Sequence, residues 1–183
     1  MRKLRHHEQK LLKKVDFIKW NTDDNLFRLK LMRKFHIQKR EDLSKYNKLT
    51  KNILDLAKKI KEMDSKDPFR ASATAQLLEK LYAMGLVPTK ANLSLVQKIS
   101  AATFCRRRLP VVMVKAHMAQ TVKAATKFVQ QGHVRLGPEV VTDPAFLVTR
   151  NLEDFLTWTD TSAIRKHVMA YNDERDDFDL MAS

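Results

Sequence analysis

Three consecutive arginines, Arg106, Arg107 and Arg108, stand directly before Leu109 and Pro110 in the stretch FCRRRLPVVMVKAH. A guanidinium presents a planar fork of donors that matches phosphate or carboxylate oxygens. Pro110 suits the first turn of a helix, where its missing N–H costs nothing, and cations at that end face the positive pole of the helix dipole. The triplet therefore calls for an anion, and beside a helix N-terminus it reads as a phosphate clamp. Lys115, Lys123 and Lys127 extend the cationic track, the last two lying four apart on one side of a helix. A like-charge run of this kind also fits a solvated face or an import signal.

The surrounding charge favours the polyanion. Between Lys80 and Pro138 there are ten Lys/Arg and no carboxylate, so the cations have no acid near them in sequence. Residues 1–67 instead mix 20 Lys/Arg with 10 Asp/Glu, and Asp173, Glu174, Asp176, Asp177 and Asp179 make an acidic tail. That tail suits either a disordered solubilising end or a segment that docks on a basic partner. A formal net charge of +14 over 183 residues points to nucleic acid ahead of membrane, since no segment is long and apolar enough to span a bilayer. Lys13 and Lys14 interrupt the apolar run that a signal peptide would need after its basic start. The one cysteine, Cys105, fits a reducing compartment and a small buried hydrophobe.

Backbone punctuation shows which elements must carry these residues. All three glycines lie at or after Gly85 and all five prolines at or after Pro68, so the first 67 residues should be helical. Leu4, Leu11, Leu12, Val15 and Ile18 form one apolar stripe; Leu43, Tyr46, Leu49, Ile53, Leu56, Ile60 and Met63 form another. Both fit docking on a partner or on RNA, and the second equally fits packing on the rest of the chain. A third helix, about 71–84, should end at Gly85. After Pro110, Leu109, Met113 and Ala116 share one helical face. A second short helix runs from a Thr121 cap to Gly132, with Val122, Ala125, Phe128 and Val129 apolar. Short apolar runs follow at 134–136, 140–141, 146–148 and 155–158, punctuated by Gly137-Pro138 and Asp143-Pro144, which predicts a small sheet.

The segment from Arg108 to about Trp158 resembles the S-four-type (alpha-L) RNA-binding domain, in its RRRL opening, in AATKFVQQGHVRLG and in VVTDPAFLV, in that order and spacing. The opening RKLRHHEQKLLKKVDFIKW, the phrase LLEKLYAMGL and the DDFD near the end are similar to nucleolar members of that family. The resemblance implies an α+β fold, a helical N-terminal half followed by a small S-four-type domain with two short helices on a small antiparallel or mixed sheet. The expected organisation is a basic helical docking region over 1–67, a helical lead-in over 68–105, the RNA-binding domain over 106–171 and the acidic tail over 172–183. It further implies a non-enzymatic assembly factor of the nucleus and nucleolus, with no cofactor and no small-molecule substrate. Its partners would be the U-three small nucleolar RNA, pre-rRNA, an Mpp-ten-type scaffold protein and other processome proteins. A structural protein of the mature small subunit is the alternative.

Within such a domain Arg106, Arg107, Arg108, Lys115, Lys123 and Lys127 would follow an RNA backbone. His133 and Arg135 at the helix-to-strand turn would stack on or hydrogen-bond to an unpaired base or a 2′-hydroxyl. His133 fits a structural turn role as well. Several family members carry an arginine where this chain has Thr126, which leaves Lys123 and Lys127 to supply that face. His6 and His7 are adjacent and point apart on a helix, which is no metal-ligand spacing, so no metal is expected. This domain type also decorates pseudouridine synthases and tyrosyl-tRNA synthetases, but no catalytic constellation can be picked out in the residues before it. Trp20 and Trp158 are read as core or docking anchors.

Overall fold

With no proline or glycine before Pro68, the N-terminal third has nothing to stop a helix, and helices occupy most of it. The computed structural model describes residues 2–14 and 22–174, with side chains over 2–11 and 26–174. Val15, Ile18 and Trp20, and the tail acids Asp176, Asp177 and Asp179, lie outside the described residues, as does the side chain of Leu12. The chain divides into two compact units, Met1–Lys34 and Phe35–Ser183. The first holds α1 (His6–Lys14) and α2 (Thr22–Lys34). Glu8, in the first turn of α1, accepts from the Arg5 backbone N–H and from both terminal nitrogens of Arg2. That places a carboxylate at the positive end of the helix dipole.

The second unit begins with α3 (Arg40–Glu62), which packs on α4 (Pro68–Ala83), on a short 3₁₀ turn (Leu93–Lys98) and on α5 (Ala101–Arg106). Its buried positions are Leu43, Tyr46, Thr50, Ala57 and Ile60, while Leu49 and Leu56 of the expected stripe face outward. The inward face is thus rotated toward the smaller residues, which lets Tyr46 stack on Phe104 of α5 at 5.7 Å between ring centroids. The helix expected over 71–84 starts three residues earlier, because Asp67 accepts from Phe69 N–H as an N-cap and Pro68 fills the first turn. Gly85, at φ +71°, closes it in a Schellman arrangement, with Leu86 N–H bonded to Leu81 O and Gly85 N–H to Tyr82 O.

Next come α6 (Leu109–Lys115) and α7 (Val122–Gln130), two helices packed against each other. Thr121 caps α7 by accepting from Ala124 N–H, and Gly132, at φ +75°, ends it. The chain then forms β1 (Val134–Leu136), a turn at Gly137, and β2 (Glu139–Val140). After α8 (Arg150–Glu153) comes β3 (Leu156–Trp158), then α9 (Ala163–Tyr171). The sheet is antiparallel in the order β2-β1-β3, with Arg135 opposite Val140 on one side and Thr157 on the other. Leu109, Val112, Met113, Ala125, Val129, Val134, Leu136, Val148 and Leu156 form the core between the helical pair and the sheet.

The apolar run 146–148 does not join that sheet. Asp143 Oδ1 accepts from Ala145 N–H and Asp143 O from Phe146 N–H, so the Asp-Pro turn folds tightly. The run is redirected to the α5–α6 junction, where Leu109 N–H bonds Phe146 O and Val148 N–H bonds Arg107 O.

Candidate nucleic-acid interface

The arginine triplet occupies the junction of two helices, so its three members have three backbone states. Arg106 ends α5, Arg107 is its C-cap at φ −93°, ψ 0°, and Arg108 is the extended N-cap residue of α6 at φ −65°, ψ 141°. Their side chains diverge as a result. Arg106 is exposed and has no partner among the described residues. Arg107 turns inward: its Nε and Nη2 donate to Val148 O at 2.9 and 2.7 Å, and its Nη1 to Glu153 Oε2 at 3.0 Å. Gly85 makes room for it, since a Cβ there would stand 2.8 Å from the guanidinium carbon.

Arg108 is buried. It donates from Nη1 to Asp42 Oδ2 at 3.2 Å and to the Tyr46 hydroxyl at 3.1 Å, and lies 5.9 Å from the centre of the Tyr46 ring. Burial pushes the Tyr46 hydroxyl pKa up, against the pull of the Arg108 charge. Two members of the triplet therefore face protein carboxylates, and Arg106 alone of the three is left without one among the described residues. Position 108 follows the buried Phe104 and Cys105 at helical spacing and precedes the buried Leu109, a signal that could have placed it inside.

The remaining cations separate in the same manner. Lys115 is mostly exposed at the end of α6, yet its Nζ lies 2.8 Å from Glu153 Oε1. Glu153 thus holds Lys115 and Arg107 together. The bond from Lys115, with Arg107 beside it, draws the Glu153 carboxyl below its ordinary pKa, despite the opposing effect of burial. Lys123 and Lys127 project from one face of α7, exposed and without a partner among the described residues. Thr126 between them is buried and donates to Val122 O, so that position lies off the exposed face.

His133 is half-buried: its Nδ1 is 3.0 Å from Ser162 Oγ, and its ring meets Phe128 edge-on at 6.5 Å. Ser162 caps α9 by accepting from Ile164 N–H, so His133 locates that helix. Arg135 donates to Thr157 Oγ1 at 3.1 Å and to Asp160 Oδ2 at 2.5 Å, and Arg165 pairs with the other oxygen of Asp160.

Five of the ten cations in the window without acids, Lys90, Arg107, Arg108, Lys115 and Arg135, are paired with carboxylates from outside it. Arg106, Lys123 and Lys127, with Lys80 and Lys98, carry charge uncompensated among the described residues. No group of three or more metal-ligating side chains occurs among the described residues.

Residues 3–105 match the ribosomal protein S4/S9 N-terminal domain, and residues 107–154 match the S4 domain. The U3 small nucleolar ribonucleoprotein protein IMP3 of Mus musculus is 56% identical over 183 residues, covering 100% of both chains. The IMP3 of Saccharomyces cerevisiae is 51% identical over 181 residues, 98% of this chain and 99% of that one. The chain belongs to the IMP3 family. Small ribosomal subunit protein uS4 of Picrophilus torridus stands further away, at 26% identity over 144 residues, 78% of this chain and 79% of its own. The expected resemblance and fold class are borne out.

The boundary between the two matched domains falls at Arg106. Arg107 and Arg108 are thus the stitches between them. Arg108 ties the start of the S4 domain to Asp42 and Tyr46 of the first domain, and Arg107 sits over Gly85 of the first while holding Val148 and Glu153 of the second. Arg150 adds a third stitch, donating to Tyr82 O and Val87 O while lying 4.2 Å over the Tyr82 ring. Sequence reading did not single out Asp42, Glu153, Asp160, Arg150 or Arg165. Their partners are distant in the chain, apart from the Asp160–Arg165 pair in a segment read only as the end of the domain.

Proposed function

We propose that this protein is a non-enzymatic RNA-binding factor of ribosome biogenesis, a component of the nucleolar U3 small nucleolar ribonucleoprotein. The observation that carries this reading is identity above one half along the whole chain to proteins bearing that name. The more distant uS4 proteins argue against a structural protein of the mature small subunit. In finer terms, the protein binds U3 small nucleolar RNA and promotes its pairing with pre-rRNA during early small-subunit processing, in company with an Mpp-ten-type scaffold protein of the processome. The unpaired cations Arg106, Lys123 and Lys127 support backbone contact, and the exposed Leu49 and Leu56 of α3, near Lys45 and Lys48, offer a surface to an acidic partner.

Binding of this kind follows RNA shape and phosphate, because lysines on one helix face act as point charges and carry no base readout. The test is filter binding of a U3 RNA fragment across a series of salt concentrations. Reversing Arg106, Lys123 and Lys127 to glutamate is expected to lower the slope of log affinity against log salt by about 2 to 3, close to one unit per lost phosphate contact. An unchanged slope would refute the interface. Sedimentation with translating ribosomes, and not with precursor rRNA, would refute the assembly role.

A further inference from the structure

We propose that an open groove along β3 is a subsite for one unstacked nucleotide of single-stranded RNA, which rests on the RNA-binding reading and extends it to a second surface. The groove has a volume of about 360 Å³ and is lined by Met118, Arg135, Leu156, Thr157, Trp158 and Arg165. Residue 154 ends the S4 match, so Thr157, Trp158, Asp160 and Arg165 lie beyond the matched domain.

Three features converge there. The first is an edge of free main chain. In the register of β1 and β3, Thr159 N–H bonds His133 O and Gly137 N–H bonds Phe155 O, so residues 155, 157 and 159 turn their peptide groups to β1. Antiparallel alternation then turns the N–H and C=O of Leu156 and Trp158 to the open side, where no strand pairs with them among the described residues. The N–H and C=O of either residue can meet an acceptor and a donor on the edge of an unpaired base. The second feature is an apolar wall of Met118, Leu156 and Trp158, the indole held edge-on by Phe128 at 5.8 Å. A base can lie against such a wall.

The third feature is charge. Arg135 and Arg165 share one carboxylate, Asp160, which leaves a surplus of one positive charge, enough for one phosphate. Asp160 is more than half exposed, so a phosphate can take over its donors without entering a closed site. The two guanidiniums are already aimed: Thr157 Oγ1 fixes Arg135, and the Ser162 cap, held by His133, fixes the helix that bears Arg165. An extended acidic peptide is the competing occupant. Only the main-chain groups of Leu156 and Trp158 in the three-residue strand point to the open side, which is short for strand addition and sufficient for a single base.

The experiment uses the full chain with Trp20→Phe, leaving Trp158 as the only tryptophan. Its emission is followed while a six-nucleotide single-stranded RNA, a duplex of equal length or oligoglutamate is added, with anisotropy of the labelled ligand read in parallel. Single-stranded RNA is expected to change the Trp158 emission saturably, and the duplex and oligoglutamate are not. Arg165→Glu should weaken the response about tenfold or more, the order expected from losing a charge-assisted contact, and Arg165→Lys less so. Unchanged thermal unfolding of the lysine variant guards against misfolding. Lys123→Ala with Lys127→Ala should weaken long RNA while leaving the Trp158 response to the short strand. RNA binding by anisotropy with a silent Trp158, an Arg165→Glu variant that responds normally, or a response to oligoglutamate would each overturn the subsite alone. Absence of RNA binding in both readouts would overturn the RNA reading with it.

Discussion

Replacing Arg108 by alanine tests whether the triplet is a stitch between domains or a nucleic-acid contact. The Arg108 side chain is 4% exposed and its partner Asp42 13%, so truncation leaves a carboxylate and the Tyr46 hydroxyl facing a vacated, nearly dry space. Removing one member of a buried ion pair costs about 3–5 kcal/mol, because the survivor keeps its desolvation cost and loses its compensation. Against a typical total of about 5–15 kcal/mol that is a large fraction. With a urea m-value of about 2 kcal/mol per molar, the midpoint should fall by roughly 1.5–2.5 M at unchanged m. The double variant Arg108→Met with Asp42→Leu removes both charges and should recover much of the loss, since apolar replacement of a whole pair is often neutral or better. Arg106→Ala, at an exposed position, should leave the midpoint within about 0.3 M of the parent. If Arg108→Ala unfolds at the parent midpoint and instead weakens RNA binding, the internal pairing is wrong and the phosphate clamp stands in its original form.

Other outcomes follow from single residues. Glu153 has a folded pKa below its ordinary value, so its stabilising contribution is complete above about pH 4.5 and fades as pH falls through the lowered value; Glu153→Gln should flatten the acid limb of stability against pH, and an unaltered limb would argue against the Lys115 and Arg107 pairing. His117 sits at φ +59° after α6, a region where glycine carries no Cβ penalty, so His117→Gly should raise stability by about 1 kcal/mol in thermal melts, and a loss would count against the left-handed conformation. Cys105 is fully buried and its thiol is pushed up to about 11, so a thiol reagent at pH 7.5 should label it only at the rate of unfolding; fast labelling of the native protein would contradict its placement.

Local chemistry was legible in the sequence. Thr121, Gly132 and Gly85 mark helix ends by the same side-chain and backbone preferences that the structure shows, and the alternation of Val134, Arg135 and Leu136 places Arg135 outward between two core residues. What sequence reading could not reach was pairing across the chain. Arg108 and Asp42 are 66 residues apart, Arg107 and Glu153 46, and Lys115 and Glu153 38. A window free of acids therefore looked uncompensated when half of its cations were not. The run 146–148 failed differently: its composition is that of a strand, but the Asp143 turn leads it to the Arg107–Leu109 backbone.

These long-range pairs change what the excess charge means. A guanidinium tied to a carboxylate in a largely buried site is costly to free, so Arg107 and Arg108 are poor candidates to exchange their partners for phosphate. An exposed lysine with no partner gives up only hydration and rotamer freedom, and its counterions gain entropy when RNA displaces them. Arg106 combines both roles through its position. It is the one member of the triplet free to reach outward, on a backbone that Arg107 and Arg108 fix on its C-terminal side. Order imposed by Arg107 and Arg108 reduces the freedom that Arg106 loses on binding. Substituting either neighbour should therefore weaken RNA binding through Arg106, without that neighbour touching RNA, and a lower affinity with an unchanged salt slope would distinguish this effect from loss of a phosphate contact.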